Sequence, residues 1–413
     1  MKSLLAISWE MPPLSGPRAV QVTRTLVALG ALGWRSRVIC FDARSQRYQQ
    51  DFDVSIEQLS GGAASRVPVA SPEEWLFFRA LWRVAPFLKH LPDEKRVWVP
   101  SAIAEGRRAL TDAPADVIVS FAQPWSDHLV GLQLHRDSGI PWVAHFSDPW
   151  VDNPYHPPAA WSQQRIAEME REVVRSATRV VFVNDYTRDR VMAKYPVEWR
   201  HRTHVIPQGH AGPAPPEQPR SGGPLRLIYT GRFYDGVRGP GVFLEAVAEL
   251  HRASALNGRI AIEFVGSRME AYARQAGALA LDPIVQFRSR VSPDQARRVA
   301  ASADVLLLID APSEGPSLFL PSKLIDYLPL EKPILGITPL HGPSGDLIRE
   351  LGYPVVDPRD RAGIVGALRQ LLDAHHAGSL TTTPQHPAMA AAYGMGPIAA
   401  AFDQVLSTAA GEA

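Results

Sequence analysis

Short apolar runs alternate along this chain with longer stretches that repeat their apolar positions every three or four residues. A run too short for a helix and apolar on successive positions reads as a strand buried on both faces, and a longer 3.6-residue repeat reads as a helix that covers it. In the first half the predicted strands are 3–8 (SLLAIS), 36–41 (SRVICF), 116–121 (DVIVSF), 141–146 (PWVAHF) and 179–184 (RVVFVN), with helical patterns including 18–32 and 159–176. The stretch HAGPAPPEQPRSGGP carries five prolines and three glycines and interrupts the alternation as a linker. The alternation then restarts. Strands are predicted at 225–231, 259–266, 283–288, 304–309 and 332–337, and helices near 240–252, 268–279, 292–302, 321–328, 343–351 and 361–375. This is the α/β pattern of two doubly wound parallel sheets. The predicted organisation is a first domain at 1–208, a Pro/Gly-rich linker at 209–224, a second domain at 225–392, and a terminal helix at 393–413 able to fold back on the first domain.

Length supports two domains, since 413 residues exceed what one ordinary core encloses. Charge changes the picture more. With 43 basic and 42 acidic residues the net charge is +1, so no global field is available to hold nucleic acid, and any anion must be bound locally. The single cysteine, Cys40, cannot form an internal disulfide, and no Cys/His cluster with metal-ligand spacing accompanies it. A reducing, cytoplasmic setting and no bound metal are expected. Glu10 and two prolines interrupt the first apolar run before it reaches the length of a signal core or a spanning helix. No later stretch is long enough to span a bilayer.

Three places carry candidate chemistry. Arg232 lies at the carboxyl end of the first strand of the second half, and Arg238 follows six residues later, just before a helix beginning near Pro240. Two guanidinium forks beside a helix N-terminus match the oxygens of a diphosphate; two solvated surface arginines are the plain alternative. Lys323 and Asp326, in PSKLIDYLPLEKPILGI, fall on neighbouring positions of one helical face, with Pro321 tolerated in the first turn. That places donors toward an anion and an acid one turn deeper, where it can accept both hydroxyls of a ribose. In HFSDPW, His145 and Asp148 stand close to the end of a strand, where Asp148 can orient or deprotonate a hydroxyl and His145 can bind one. A core histidine and a turn cap are the structural alternatives. Asp127 and His128, at the start of a helix, read as caps. Neither half has G-x-G-x-x-G after its first strand, which argues against a dinucleotide dehydrogenase.

The segment EGPSLFLPSKLIDYLPLEKPILGI resembles the nucleotide-binding signature of GT-B fold glycosyltransferases of the retaining, family 4-like group. TGRFYDGVRG resembles that group's G-R-x(n)-K-G segment, with arginine in place of lysine. PPLSGPRAVQVTRTLVALGALGWRSRVICF is similar to its proline-glycine loop and first helix, and GIPWVAHFSDPW to its acceptor-side segment. The resemblance implies two Rossmann-like domains facing across a cleft. It implies that Arg232 and Arg238 hold the donor diphosphate, Asp326 the ribose hydroxyls and Glu314 the transferred sugar, with Lys323 near the phosphates or sugar. Gly16, in the loop after the first strand, would let backbone approach the phosphate and acceptor. The expected activity is a metal-independent hexosyl transfer with retention, without a cofactor. The substrate is a nucleotide diphosphate sugar, UDP-sugar favoured over GDP-sugar, and the acceptor is a saccharide or lipid-linked saccharide of polysaccharide or envelope assembly. A nucleotide-sugar epimerase of the same architecture and an inert binding module are the alternatives. The segment 72–91, with Trp75, Phe78, Leu81 and Trp82 near one face and Arg79, Arg83 and Lys89 interspersed, reads either as a helix on a membrane surface or as one packed on its own domain.

Overall fold

A computed structural model describes residues 2–43, 64–72, 76–85, 91–155, 157–212, 222–234, 236–267 and 269–412. Trp75 and Lys89 of the 72–91 segment, and 213–221 of the proline-rich stretch, lie outside the described residues. The chain forms two compact units, Met1–Gly209 with Met395–Ala413, and His210–Gly394.

The first unit is built on a parallel sheet of seven strands. In chain order these are β1 (Lys2–Ile7), β2 (Trp34–Phe41), β3 (Ala64–Val69), β4 (Val117–Ala122), β5 (Trp142–Phe146), β6 (Arg179–Phe182) and β7 (Thr203–Val205). They lie side by side as β3-β2-β1-β4-β5-β6-β7, and every pairing is parallel. The helices are α1 (Pro17–Ala31), α2 (Leu76–Val84), α3 (Val99–Asp112), α4 (Ser126–Ser138), α5 (Gln163–Ser176) and α6 (Asp185–Met192). Successive side chains of β1 leave on opposite faces, so Leu4 and Ala6 enter one core while Leu5 and Ile7 enter the other. This is why the strands read as continuous apolar runs rather than alternating ones. The core containing Leu4 and Ala6 is closed by Val22 and Leu26 of α1, and by Phe402, Val405 and Leu406 of the terminal helix Met395–Ala410. Asp403 on that helix accepts the Trp34 indole N–H at 2.7 Å and pairs with Lys2 at 2.6 Å.

The second unit holds a six-stranded, all-parallel sheet in the order β10-β9-β8-β11-β12-β13. Its strands are β8 (Leu225–Arg232), β9 (Ile260–Ser267), β10 (Val285–Arg288), β11 (Val305–Ile309), β12 (Ile334–Ile337) and β13 (Val355–Val356). The helices are α7 (Gly241–Ser254), α8 (Glu270–Ala278), α9 (Pro293–Ala301), α10 (Ser322–Tyr327), α11 (Pro343–Glu350), α12 (Arg361–His376) and α13 (His386–Ala392), which makes the terminal helix of the first unit α14. In both sheets the order reverses beside the first strand, between β1 and β4 and between β8 and β11. Open α/β sheets bind ligands at the carboxyl ends of such strands.

Candidate functional site

In the second unit the carboxyl ends of β8 and β11 bring together Arg232, Arg238, Lys323 and Asp310. Arg232 is the last residue of β8. The chain then turns back on itself, with the Arg238 amide donating to the Tyr234 carbonyl at 2.8 Å and the Tyr234 amide to the Arg238 carbonyl at 2.9 Å. That turn returns Arg238 to the strand end, where its Nη2 donates to the Arg232 carbonyl at 3.0 Å. The Tyr234 ring serves both guanidiniums, at 5.4 Å from Arg232 and 4.9 Å from Arg238. Arg232 is exposed, whereas the Arg238 side chain keeps only 17% of its surface.

Lys323 enters from α10. Its ammonium donates to the Tyr229 hydroxyl and lies 3.8 Å from the Tyr229 ring centroid. The helix is anchored beside β8 by the Tyr327 hydroxyl, which accepts the Thr230 amide at 3.0 Å. Room for the lysine comes from Gly231, whose φ of 142° is a backbone conformation that side-chain-bearing residues rarely adopt; a Cβ there would stand 2.7 Å from Lys323 Nζ. Its neighbour on β9, Gly266, packs so closely that an added Cβ would meet the Gly231 carbonyl oxygen at 1.7 Å. Burial, reinforced by the Arg238 charge, holds the Lys323 pKa well below that of an ordinary lysine, while Asp310 works in the opposite direction. Asp310 follows β11 directly. Its Oδ1 stands 3.6 Å from Arg238 Nη1, and its Oδ2 accepts the Thr338 hydroxyl at 3.1 Å.

Of the residues the sequence pointed to in this half, Arg232, Arg238 and Lys323 come together, and Asp326 lies half-buried one turn further along α10. Glu314 does not join them. Its side chain is 90% exposed and pairs with Arg359. Asp310, Tyr229 and Tyr234 were not anticipated. Asp310 had a signal, an acid immediately after the buried run DVLLLI, but a single acid in a proline-rich loop reads as turn chemistry.

In the first unit the loops after β1, β4 and β5 bring Arg18, Asp127, His128, His145 and Asp148 to one end of the sheet. Gly16 caps α1, and a Cβ there would come within 1.5 Å of Glu10 Oε1. The space left by the missing side chain is filled by the Glu10 carboxylate. Arg18, in the first turn of α1, is 8% exposed, and its guanidinium makes no hydrogen bond or ion pair among the described residues. Burial lowers its pKa, against the pull of Asp148, Glu10 and Asp127. Asp148 Oδ2 accepts Gln123 Nε2 and the Ser147 hydroxyl, each at 3.0 Å. His145 packs between Phe121 and Phe402, and its buried Nδ1 finds no hydrogen-bond partner among the described residues.

Asp127 does not cap its own helix. Its Oδ2 accepts the Trp9 amide at 2.9 Å, tying the loop after β1 to α4, and burial raises its pKa well above the carboxylate range. The capping role falls to Asp93, which accepts the Ser126 amide at 2.9 Å and the Ser126 hydroxyl at 2.7 Å. His128 is buried with its Nδ1 2.8 Å from Ser120 Oγ, and desolvation lowers its pKa to about 3. A histidine held neutral in the fold but protonated in the unfolded chain below about pH 6.5 costs stability on acidification. The folded protein is therefore expected to lose about 2 kcal/mol through His128 alone between pH 7 and 5. Urea midpoints for the wild type and His128→Gln at the two pH values check this: the variant should lose correspondingly less, while His145, His204 and His386, whose pKa values burial also lowers, retain part of the slope. Equal losses would rule it out.

Among the described residues no group of three or more His, Cys, Asp or Glu gathers that could hold a metal ion, and no helix is long and apolar enough to cross a membrane. The family model described as "Glycosyl transferase 4-like domain" matches residues 18–209, and the one described as "Glycosyl transferases group 1" matches 224–374. The chain belongs to the family 4-like glycosyltransferases of GT-B type, the class that two Rossmann-like units with sites at their strand ends define. Among solved structures it is similar over its full length to sucrose-phosphate synthase from Thermosynechococcus elongatus, at 15% identity and a TM-score of 0.71, covering 100% of both chains. The lipopolysaccharide outer core galactosyltransferase WaaB in its apo form matches at 14% identity and a TM-score of 0.62, covering 99% of each chain. A structure described as a putative UDP-N-acetylglucosamine 2-epimerase from Listeria monocytogenes matches at 11% identity and 0.62, covering 100% of this chain and 98% of that one. No curated protein matches the sequence.

Proposed function

We propose that this glycosyltransferase transfers a hexose, with retention, from a nucleotide diphosphate sugar to a saccharide or lipid-linked saccharide in polysaccharide or cell-envelope glycan assembly. The observation that carries the reading is the grouping of Arg238, Arg232 and Lys323 at the carboxyl ends of β8 and β11. Departure of a nucleotide diphosphate from a sugar develops negative charge on the phosphate and oxocarbenium character on the sugar. Fixed guanidinium and ammonium donors stabilise the former and do the work a divalent cation would otherwise do. Asp326 is assigned the ribose hydroxyls. In the first unit Asp148 orients the acceptor hydroxyl, which attacks from the leaving-group side while a phosphate oxygen takes its proton. No carboxylate nucleophile is needed. A UDP-sugar is favoured as donor. The reading places the protein at the cytoplasmic face of a membrane, touching it through 72–91. Phe77 and Val84 on α2 support that contact, being 69% and 83% exposed beside an exposed Arg83.

The test is incubation with a panel of nucleotide sugars and no acceptor. Slow release of nucleoside diphosphate from one donor, with the anomeric configuration retained in the freed sugar, is the expected result. Isomerised sugar would establish an epimerase instead, and the absence of any binding or turnover would overturn the assignment.

A further inference from the structure

We infer that Asp310 is the standing counter-ion of the phosphate cradle, a positioning residue that holds Arg238 beside Lys323 for a diphosphate to bind. The inference rests on the nucleotide-sugar reading of this site and adds to it the group that makes its cations usable.

Two features of the geometry carry it, and the electrostatics of Lys323 support it. Asp310 is rigidly placed: its amide donates to the Ile337 carbonyl at 2.8 Å, its Oδ2 accepts Thr338 Oγ1 at 3.1 Å, and it is 8% exposed. Its free oxygen faces Arg238 across 3.6 Å, too long for a tight ion pair and open to being shared with an incoming anion. The setting of Lys323 supports them: Tyr229 from β8, Arg238 from the turn after β8 and Asp310 after β11 act on it, while Asp326 and Tyr327 follow it on its own helix. Arg238 opposes a second positive charge there, burial opposes it more, and the Asp310 carboxylate supports it. Without that carboxylate two cations would stand side by side in a largely dehydrated pocket, and the one able to shed its proton would do so. A lysine that has lost its proton offers a phosphate no charge. Asp310 thus acts through Lys323 and Arg238 rather than on the donor.

The opposite role is physically reasonable for the same contacts: a carboxylate beside an arginine can compete with phosphate, and its removal would then tighten binding. Calorimetric titration of the full-length chain with inorganic pyrophosphate, between pH 6 and 9, separates the two. If Asp310 is the counter-ion, Asp310→Asn binds pyrophosphate about tenfold more weakly than the wild type at pH 8, the equivalent of about one pK unit of lost charge. The deficit shrinks as the pH falls, because excess protons restore the ammonium. Lys323→Arg in the Asp310→Asn background flattens the pH dependence, since a guanidinium does not titrate in this range. Thr338→Val leaves the carboxylate in place but unanchored, and shows a smaller loss in the same direction, about two- to threefold; it stands in should Asp310→Asn melt early. Equal or tighter pyrophosphate binding by Asp310→Asn at pH 8, or a deficit that does not change with pH, overturns the inference while leaving the nucleotide-sugar reading intact. A wild type that binds neither pyrophosphate nor any nucleoside diphosphate removes both.

Discussion

Replacing Arg238 by alanine is expected to weaken nucleoside diphosphate binding about 100-fold while changing the affinity for the corresponding nucleoside by less than about threefold. The magnitude follows from charge-assisted hydrogen bonds, worth about 1.5–3 kcal/mol each when the donor is ionised. Arg238 is the right place to look for it because its side chain is only 17% exposed and its Nη2 is already held by the Arg232 carbonyl, so little ordering remains to be done on binding. Arg232 is exposed, and its alanine variant should lose only about three- to tenfold, as befits a charge that water screens. One compensation limits the Arg238 effect. Removing its charge relieves Lys323 of the neighbour that, after burial, does most to discourage protonation, so the variant's lysine is more readily an ammonium. The pH dependence follows with a definite sign. In the wild type Lys323 offers charge below its lowered pKa and loses it above, so nucleoside diphosphate binding should weaken as pH rises through that lowered pKa, and Arg238→Ala should move that decline to higher pH. Titration calorimetry against a nucleoside and its diphosphate, at two pH values, reads all of this. Equal losses for nucleoside and diphosphate would remove the diphosphate assignment.

The strands that proved easiest to read were those buried on both faces. Leu306 and Leu308 face one core and Val305, Leu307 and Ile309 the other, so no polar residue interrupts the run and its limits fall within a residue or two of β11. The edge strands β3, β7 and β13 were not legible for the complementary reason. β3 is half solvated and contains Pro68, β7 has three residues and β13 two, and none presents an apolar run. In the second unit, Arg232, Arg238 and Lys323 could be singled out because charge beside a strand end and glycine is unusual in local sequence. What local sequence cannot carry is the pairing of Gly231 with Gly266, which opens the space for Lys323, or the approach of Asp310 to Arg238 from a different strand. Both depend on strand order, which brings β11 beside β8 across more than seventy residues. In the first unit the same limit applies to Glu10. Gly16 reads in local sequence as a place where backbone can approach a phosphate and acceptor, and the space beside it holds the Glu10 carboxylate, six residues earlier in the same loop.

Asp148→Asn is expected to lower turnover about 100-fold with the affinity for nucleoside diphosphate unchanged. The substitution keeps the size of the side chain and leaves one oxygen to accept from Gln123 or Ser147, so the loop after β5 should keep its course. The charge that Arg18 experiences from this position disappears, and with it a carboxylate acceptor for a sugar hydroxyl at this end of the sheet. Orientation of an attacking group is steep in its consequences: displacement by about 1 Å can cost two orders of magnitude in rate. The loop itself is held independently by Glu170, a fully buried carboxylate that accepts the Val151 amide at 2.9 Å and the Tyr195 hydroxyl at 2.6 Å. A loss of rate in the Asn variant can therefore be separated from a loss of loop structure, since Glu170→Gln should lower the melting temperature more than Asp148→Asn does. Measured with the nucleotide sugar that the panel identifies, kcat should fall while KM for the donor stays within about twofold, because an acceptor-orienting group acts after the donor is bound. A variant that turns over at the wild-type rate would make Asp148 a turn residue before Pro149 and move the search for the acceptor contact to Glu10 and Arg18.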